Sequence, residues 1–252
     1  MNIWQMIMLI GAGILGGMAN AIAGGASLFT FPAMLATGLP PVIANATNSF
    51  ALLPGNCIGA FADRERIPQR SSAMMVALGL AVLGGLCGAA LLLATSTHIF
   101  SLLIPALIGA ATLIFTFSTA IRKFLTQRLS GHEHPKLRLV MITGAAIYNG
   151  FFGAGVGVIF LASLMATGRE ELRGANAFKN LLAFLSNVGG IIIFLAAGSI
   201  SWPQGFVMMA GTTAGGFLGV TLTKILPATV VRWVITICGS MMTAIYVYRY
   251  WL

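Results

Sequence analysis

Apolar residues run along this chain in long blocks rather than in short alternations. The blocks fall near 3–22, 42–61, 72–94, 99–121, 137–152, 174–197, 203–223 and 228–248, separated by short polar or basic stretches. Most approach the roughly 20 residues that a bilayer-spanning helix needs. Gly and Pro inside several blocks fit that reading, because neighbouring membrane helices re-satisfy the interrupted backbone. A transmembrane barrel would instead show short segments of alternating polarity. The pattern predicts an all-α integral membrane protein with about eight main transmembrane segments.

Composition sharpens this. Of the 252 residues, 58% are hydrophobic and 8% charged, with a mean hydropathy of +0.94. A soluble domain carries about a quarter charged residues, so this chain cannot cover a water-facing surface. The first block lacks a basic leader and has an internal counterpart, so it reads as part of the fold rather than a signal peptide. Cys57, Cys87 and Cys238 lie in apolar blocks with no paired spacing, which suits packing rather than a disulfide or metal site. No cofactor is expected. The net charge of +9 might suggest nucleic acid, but the basic residues stand at block ends, where they set topology. The expected partner surface is the lipid bilayer.

The blocks repeat. Leu35-Ala36-Thr37-Gly38 returns as Met165-Ala166-Thr167-Gly168, and Ala44-Asn45-Ala46 returns as Ala175-Asn176-Ala177. At the latter offset of 131, Asn56 matches Asn187, Gly59 matches Gly190, Gly84-Gly85 matches Gly215-Gly216, and Gly88 matches Gly219. This predicts an N-terminal repeat over 1–125, a basic cytoplasmic linker over 126–136 and a C-terminal repeat over 137–252. Such doubling is a mark of secondary transporters, whose substrate site lies where the halves meet.

Charge sets the relative direction of the halves, since cytoplasmic loops are rich in Lys and Arg. Arg64, Arg66 and Arg70 form one basic connection; Arg122, Lys123, Arg128, Lys136 and Arg138 form another. With both inside, inversion also brings Arg169, Arg173, Lys224 and Arg232 inside and leaves only Arg249 outside. The counterpart of the 62–70 connection, Ala197–Pro203, carries no charge. The expectation is two inverted repeats with both termini outside; contacts in a homodimer are a second way to place stray charges. Inversion needs an odd number of net crossings per half. The leading segments 3–22 with 26–38, and 137–152 with 155–168, then form hairpins whose short second arms are either broken, tilted spans or re-entrant.

Each hairpin bends at a glycine cluster next to an amide. Asn20 precedes Gly24, Gly25 and Ser27 in one half; Asn149 precedes Gly153, Gly155 and Gly157 in the other. Glycine lets the chain turn and a ligand approach, and a helix restarting at Ser27 or Gly157 offers unpaired N–H groups to an anion. The same glycines also suit plain helix packing. Asn45, Thr47 and Asn48 open the following helix, matched by Asn176, Lys179 and Asn180, with Asn56 and Asn187 deeper. An unpartnered buried amide costs about 1–3 kcal/mol, so each of these residues meets a neighbouring helix, water or a substrate. Lys179 reads either as an interface lysine reaching for water or as the cation that holds an anion.

No Asp or Glu falls inside a predicted helix; Asp63, Glu65, Glu133, Glu170 and Glu171 are all in connections, as are His98, His132 and His134. Ion-coupled carriers usually keep an intramembrane carboxylate, and an intramembrane enzyme would need an acid pair, a nucleophile with its base, or metal ligands. The chain is therefore read as a non-enzyme. An anion leaving a negative-inside cell gains about 2.3 kcal/mol per charge per 100 mV without any coupling.

Asn20-x-x-x-Gly24-Gly25-x-Ser27, then Pro32, Gly38, Ala44-x-Ala46-Thr47-Asn48 and Gly59, resembles the N-terminal repeat of the TauE/SafE family. Gly153-x-Gly155-x-Gly157, then Gly168 and Ala175-Asn176-Ala177-x-Lys179, resembles its C-terminal repeat. Ala26 stands where the family often has a third glycine. The resemblance spans essentially the whole chain. It implies a bacterial inner-membrane exporter of sulfite, sulfoacetate or related organosulfonates, with Asn20, Gly24, Gly25, Ser27, Thr47, Asn48, Gly153, Gly155, Gly157, Asn176 and Lys179 lining the path. The alternatives are a proton-coupled anion importer and a non-transporting subunit of a membrane complex.

Overall fold

The computed structural model describes residues 1–62, 65, 67, 72–129, 135–167, 172–222 and 228–252, and among these the regular structure is helical, with no strand. The first half holds α1 (Ile3–Ala23), α2 (Ser27–Ala36), α3 (Pro41–Ala51), α4 (Leu53–Ala62), α5 (Ser72–Ala94), α6 (Thr97–Thr116) and α7 (Ser118–Leu129). The second holds α8 (Pro135–Phe151), α9 (Val156–Thr167), α10 (Leu172–Ala196), α11 (Trp202–Leu222) and α12 (Ala228–Tyr250).

Four of the described helical stretches are long and apolar enough to cross a membrane: Ile3–Ala21, Ser72–Ala94, Thr97–Thr116 and Arg173–Ala196. Two expected single runs are interrupted. The 42–61 block divides into α3 and α4 at Leu52, where Pro54 brings no backbone N–H to the ladder. The 99–121 block divides into α6 and α7 at Phe117. The expected linker is also partly helical: α7 continues to Leu129 and α8 starts at Pro135, so Arg122, Lys123 and Arg128 sit on a helix.

Local chemistry explains the ends. Asn2 and Gln5 form a reciprocal capping box at the start of α1, with Asn2 Oδ1 accepting from Gln5 N at 2.9 Å and Gln5 Oε1 from Asn2 N at 3.0 Å. Ser96 Oγ caps α6 by accepting from Ile99 N. At its other end α1 stops at Gly24, whose φ of +79° is left-handed and whose N–H is donated to the carbonyls of Ala19 and Asn20.

The helices pack through small residues. α1 lies most closely on α11, and α8 on α5. A Cβ added to Gly13 would lie 2.8 Å from the Met208 carbonyl oxygen, and one on Gly84 would lie 2.6 Å from Ala146 Cβ. Gly17 faces the carbonyl of Thr212 and Gly85 that of Ser186 even more closely. Association in lipid depends on such backbone approach, because hydrocarbon gives no hydrophobic drive between helices. The outer surface is correspondingly apolar, with Trp4, Leu15, Leu83, Phe217, Trp233 and Met241 all largely exposed.

Aromatic and amide contacts lock the halves together. Phe31 on α2 meets Phe152, just after α8, edge to face at 5.3 Å, and Phe100 packs on both. Asn187 Nδ2 donates to Ser49 O and Asn180 Nδ2 to Gly59 O, each at 3.0 Å.

Candidate functional site

The two glycine turns come together in the fold. α2 restarts at Ser27 and α9 at Val156, both close to the expected positions. A Cβ built on Gly24 would lie 3.3 Å from Gly157 Cα, so the end of α1 rests against the start of α9 with no room for side chains. Gly25 faces the Phe115 ring and Ile235, and Gly155 faces the other edge of Phe115. Gly153 and Gly155 take φ of +79° and +78°, which only glycine adopts without strain.

Beside this contact opens a cavity of about 220 Å³. Its walls are Phe115 from α6, Ser118, Thr119 and Arg122 from α7, Gly157, Val158, Leu161 and Ala162 from the first turns of α9, Asn176 and Lys179 from α10, and Arg232 from α12. Lys179 is 6% exposed, and its stem passes Gly157, with Cδ 3.8 Å from where a Cβ there would stand. Among the described residues its ammonium has no hydrogen-bond or ion-pair partner. Arg122 and Arg232 are half-buried, and an Arg232 guanidinium nitrogen donates to Thr119 Oγ1. None of the described lining residues is an acid.

Three cations, hydroxyls, an amide and a helix N-terminus facing one space make an electropositive, donor-rich cavity. Such a set binds oxyanions without a metal. Among the described residues no three His, Cys, Asp or Glu side chains gather as ligands.

A family profile described as "Sulfite exporter TauE/SafE" matches residues 9–246. The chain belongs to the TauE/SafE family. This TauE/SafE protein is similar to a probable membrane transporter protein of Haemophilus influenzae, 32% identical over 96% of this chain and 94% of that one. It is also similar to the probable membrane transporter protein YfcA of Escherichia coli, 28% identical over 92% and 85%, and to ORF9 of a Sinorhizobium species, also a probable membrane transporter protein, 26% identical over 85% and 81%. No solved structure matches the chain. The family, the relatives and the apolar helices together identify a multi-pass membrane protein of a transporter family.

Of the residues that the TauE/SafE sequence singles out, Gly157, Asn176 and Lys179 line the cavity. Gly24 touches its floor through Gly157, and Gly25 and Gly155 flank Phe115. The remaining amides tie helices. Asn20 Nδ2 donates to Asn56 Oδ1 at 2.8 Å; Asn149 Nδ2 donates to Ser186 Oγ at 2.6 Å and to Ala183 O at 3.3 Å; Asn180 and Asn187 bridge the halves as above. Thr47 Oγ1 accepts from Ser201 N at 2.9 Å, ahead of α11.

Asn45 and Asn48 are different. Asn45 Nδ2 donates to Phe151 O at 3.0 Å and Asn48 Nδ2 to Ser27 Oγ at 3.4 Å. Their side-chain oxygens are buried without a partner. These residues stand 131 positions before Asn176 and Lys179, so the same repeat position is sealed in one half and faces a cavity in the other.

In the sequence, Arg122 and Arg232 read as topology charges, and nothing in the local pattern marks Phe115, Ser118 or Thr119 as part of a site. The signal that the sequence does carry is that its charge pattern puts both arginines on the same side of the membrane.

Proposed function

We propose that this protein exports small sulfur oxyanions, sulfite or organosulfonates such as sulfoacetate, across the bacterial inner membrane, driven by the membrane potential. The observation that carries the reading is Lys179, buried in a cavity at the start of α9 with no counter-charge among the described residues. An unpaired buried ammonium is costly in a membrane, and an oxyanion seated between it and the α9 N–H groups relieves that cost.

Packing supports a two-fold repeat, the charge pattern supports its inversion, and the apolar blocks support about eight main segments, with α3 and α4 together read as one broken span. α8 and α5 are the repeat mates of α1 and α11, and the α1–α11 pairing recurs as α8–α5. Arg122 and Arg232, both expected inside, face the same cavity. The repeat counterparts of Lys179 and Arg232 are the uncharged Asn48 and Ser101. Arg249 is the repeat counterpart of the lining Ser118, so three cations at the inner end face one at the outer, an imbalance that favours loading inside and release outside.

The test is flux in proteoliposomes containing only this protein, loaded with sulfite or ethanesulfonate under an imposed potential. The expected result is saturable, voltage-driven efflux that falls at least tenfold in Lys179→Gln. Well-folded protein that moves neither anion would overturn the proposal.

A further inference from the structure

We infer that the substrates this cavity selects carry two anionic groups, one held deep by Lys179 and the other nearer the mouth by Arg122 and Arg232. This rests on the reading of the cavity as an oxyanion site and goes beyond it by naming a charge class. Three cations from α7, α10 and α12 converge on one space of about 220 Å³. No acid among the described lining residues offsets them. Like charges facing each other in a low-dielectric setting repel, so this described lining favours an anionic occupant. A monoanion leaves a net charge of two among the three cations, whereas a dianion leaves one.

The two arginines are also positioned for a separate group. Thr119 and Arg122 are one turn apart on α7, and Arg232 reaches across from α12 to hydrogen-bond Thr119 Oγ1. The two guanidiniums therefore border the cavity from adjoining walls. Guanidinium forks match sulfonate, carboxylate and phosphate oxygens in a way that a single ammonium does not. Depth divides the roles: Lys179 is buried against Gly157, while Arg122 and Arg232 are only half-buried. The volume holds several water-sized groups, more than one small oxyanion fills.

Ethanesulfonate and 1,2-ethanedisulfonate share a two-carbon skeleton and differ by one charge. Apparent affinities for both are measured by ligand-induced thermal shift of the purified protein at constant ionic strength. The disulfonate is expected to bind at least tenfold more tightly. Arg122→Gln and Arg232→Gln are each expected to weaken the disulfonate at least fivefold more than the monosulfonate, and Arg122→Lys to retain part of the preference. Lys179→Gln is expected to weaken both. Equal affinities for the two probes in the unmodified protein would overturn the inference while leaving the oxyanion site standing. Loss of both probes in equal proportion in the Arg→Gln variants, or no change in either, would assign the arginines to folding or to lipid phosphates and would equally overturn it. If neither probe shifts the unmodified protein and Lys179→Gln changes nothing, the oxyanion reading itself fails.

Discussion

Gly24 and Gly157 lie 133 positions apart in sequence and are pressed together in the fold, a Cβ added to either lying 3.3 Å from the other's Cα. The end of α1 thus meets the start of α9, and the turn of one half becomes the floor beside the cavity of the other. Glycine is required here for proximity; at Gly24 it is also required for the backbone, whose φ is +79°.

That contact predicts a steep size dependence. Gly157→Val forces bulk between two backbones and against the Lys179 stem, so it should destabilise by about 1–3 kcal/mol and lower anion flux more than tenfold. Gly144 has nothing within 4 Å of an added Cβ, and Gly144→Ala should be neutral or stabilising by roughly 0.5–1 kcal/mol. Thermal unfolding in detergent compares the two. Equal effects would refute the packing argument.

Lys179→Met should separate stability from function. It removes an ammonium that faces the cavity without a partner among the described residues while keeping an apolar stem of similar length, so the ligand-free melting temperature should hold or rise. Protection by sulfite should disappear. A large drop in melting temperature would instead reveal that Lys179 holds the fold.

Asn187→Leu should act the other way. The Ser49 carbonyl loses its donor across the interface between the halves, at a cost of about 1–3 kcal/mol. Stability should fall, and any loss of flux should follow the loss of folded protein, read from helical circular dichroism and transport on the same samples.

Gly85→Val should be among the most damaging single changes, because an added side chain meets the Ser186 backbone directly. Gly79→Val on the same helix faces open space. Yield of monodisperse protein from membranes should collapse for the first and hold for the second.

The proposed inversion of the repeats has a direct labelling test. In a background lacking Cys57, Cys87 and Cys238, Gln127→Cys should react with a membrane-impermeant thiol reagent only from the cytoplasmic side, and Ala197→Cys only from the outer side. Both positions are exposed. Parallel repeats would place the two on the same side.

Much of the fold was legible because lipid imposes a local rule. A long apolar block must satisfy its own backbone, so α1, α5, α10, α11 and α12 follow their blocks closely. The glycine clusters also identified the turns, since a hairpin between helices needs φ values that other residues avoid. The break in the 42–61 block was hidden because its apolar character is continuous through Pro54. The helical α7 was hidden because its basic residues resemble a loop.

The candidate site divided along the same line. Doubling of the glycine cluster at Gly24, Gly25 and Ser27 by that at Gly153, Gly155 and Gly157, and of Asn48 by Lys179, marked a region where two halves meet. It did not tell which amides tie helices together and which face a cavity. Asn149 and Asn176 read alike in sequence, yet one is held by Ser186 and the other lines open space. Arg122 and Arg232 entered the site only when α7 and α12 were brought together.

The sequence alone determined the solvent, the helical class, the two-fold doubling, the glycine turns and one lysine in an apolar block, because each depends on residue type and short-range spacing. Tertiary structure alone decided the Gly24–Gly157 contact, the partners of each asparagine and the gathering of Lys179, Arg122 and Arg232 around one cavity. Those depend on which backbones approach closely enough to exclude a side chain, and on donors and acceptors on different helices, 21 to 138 residues apart.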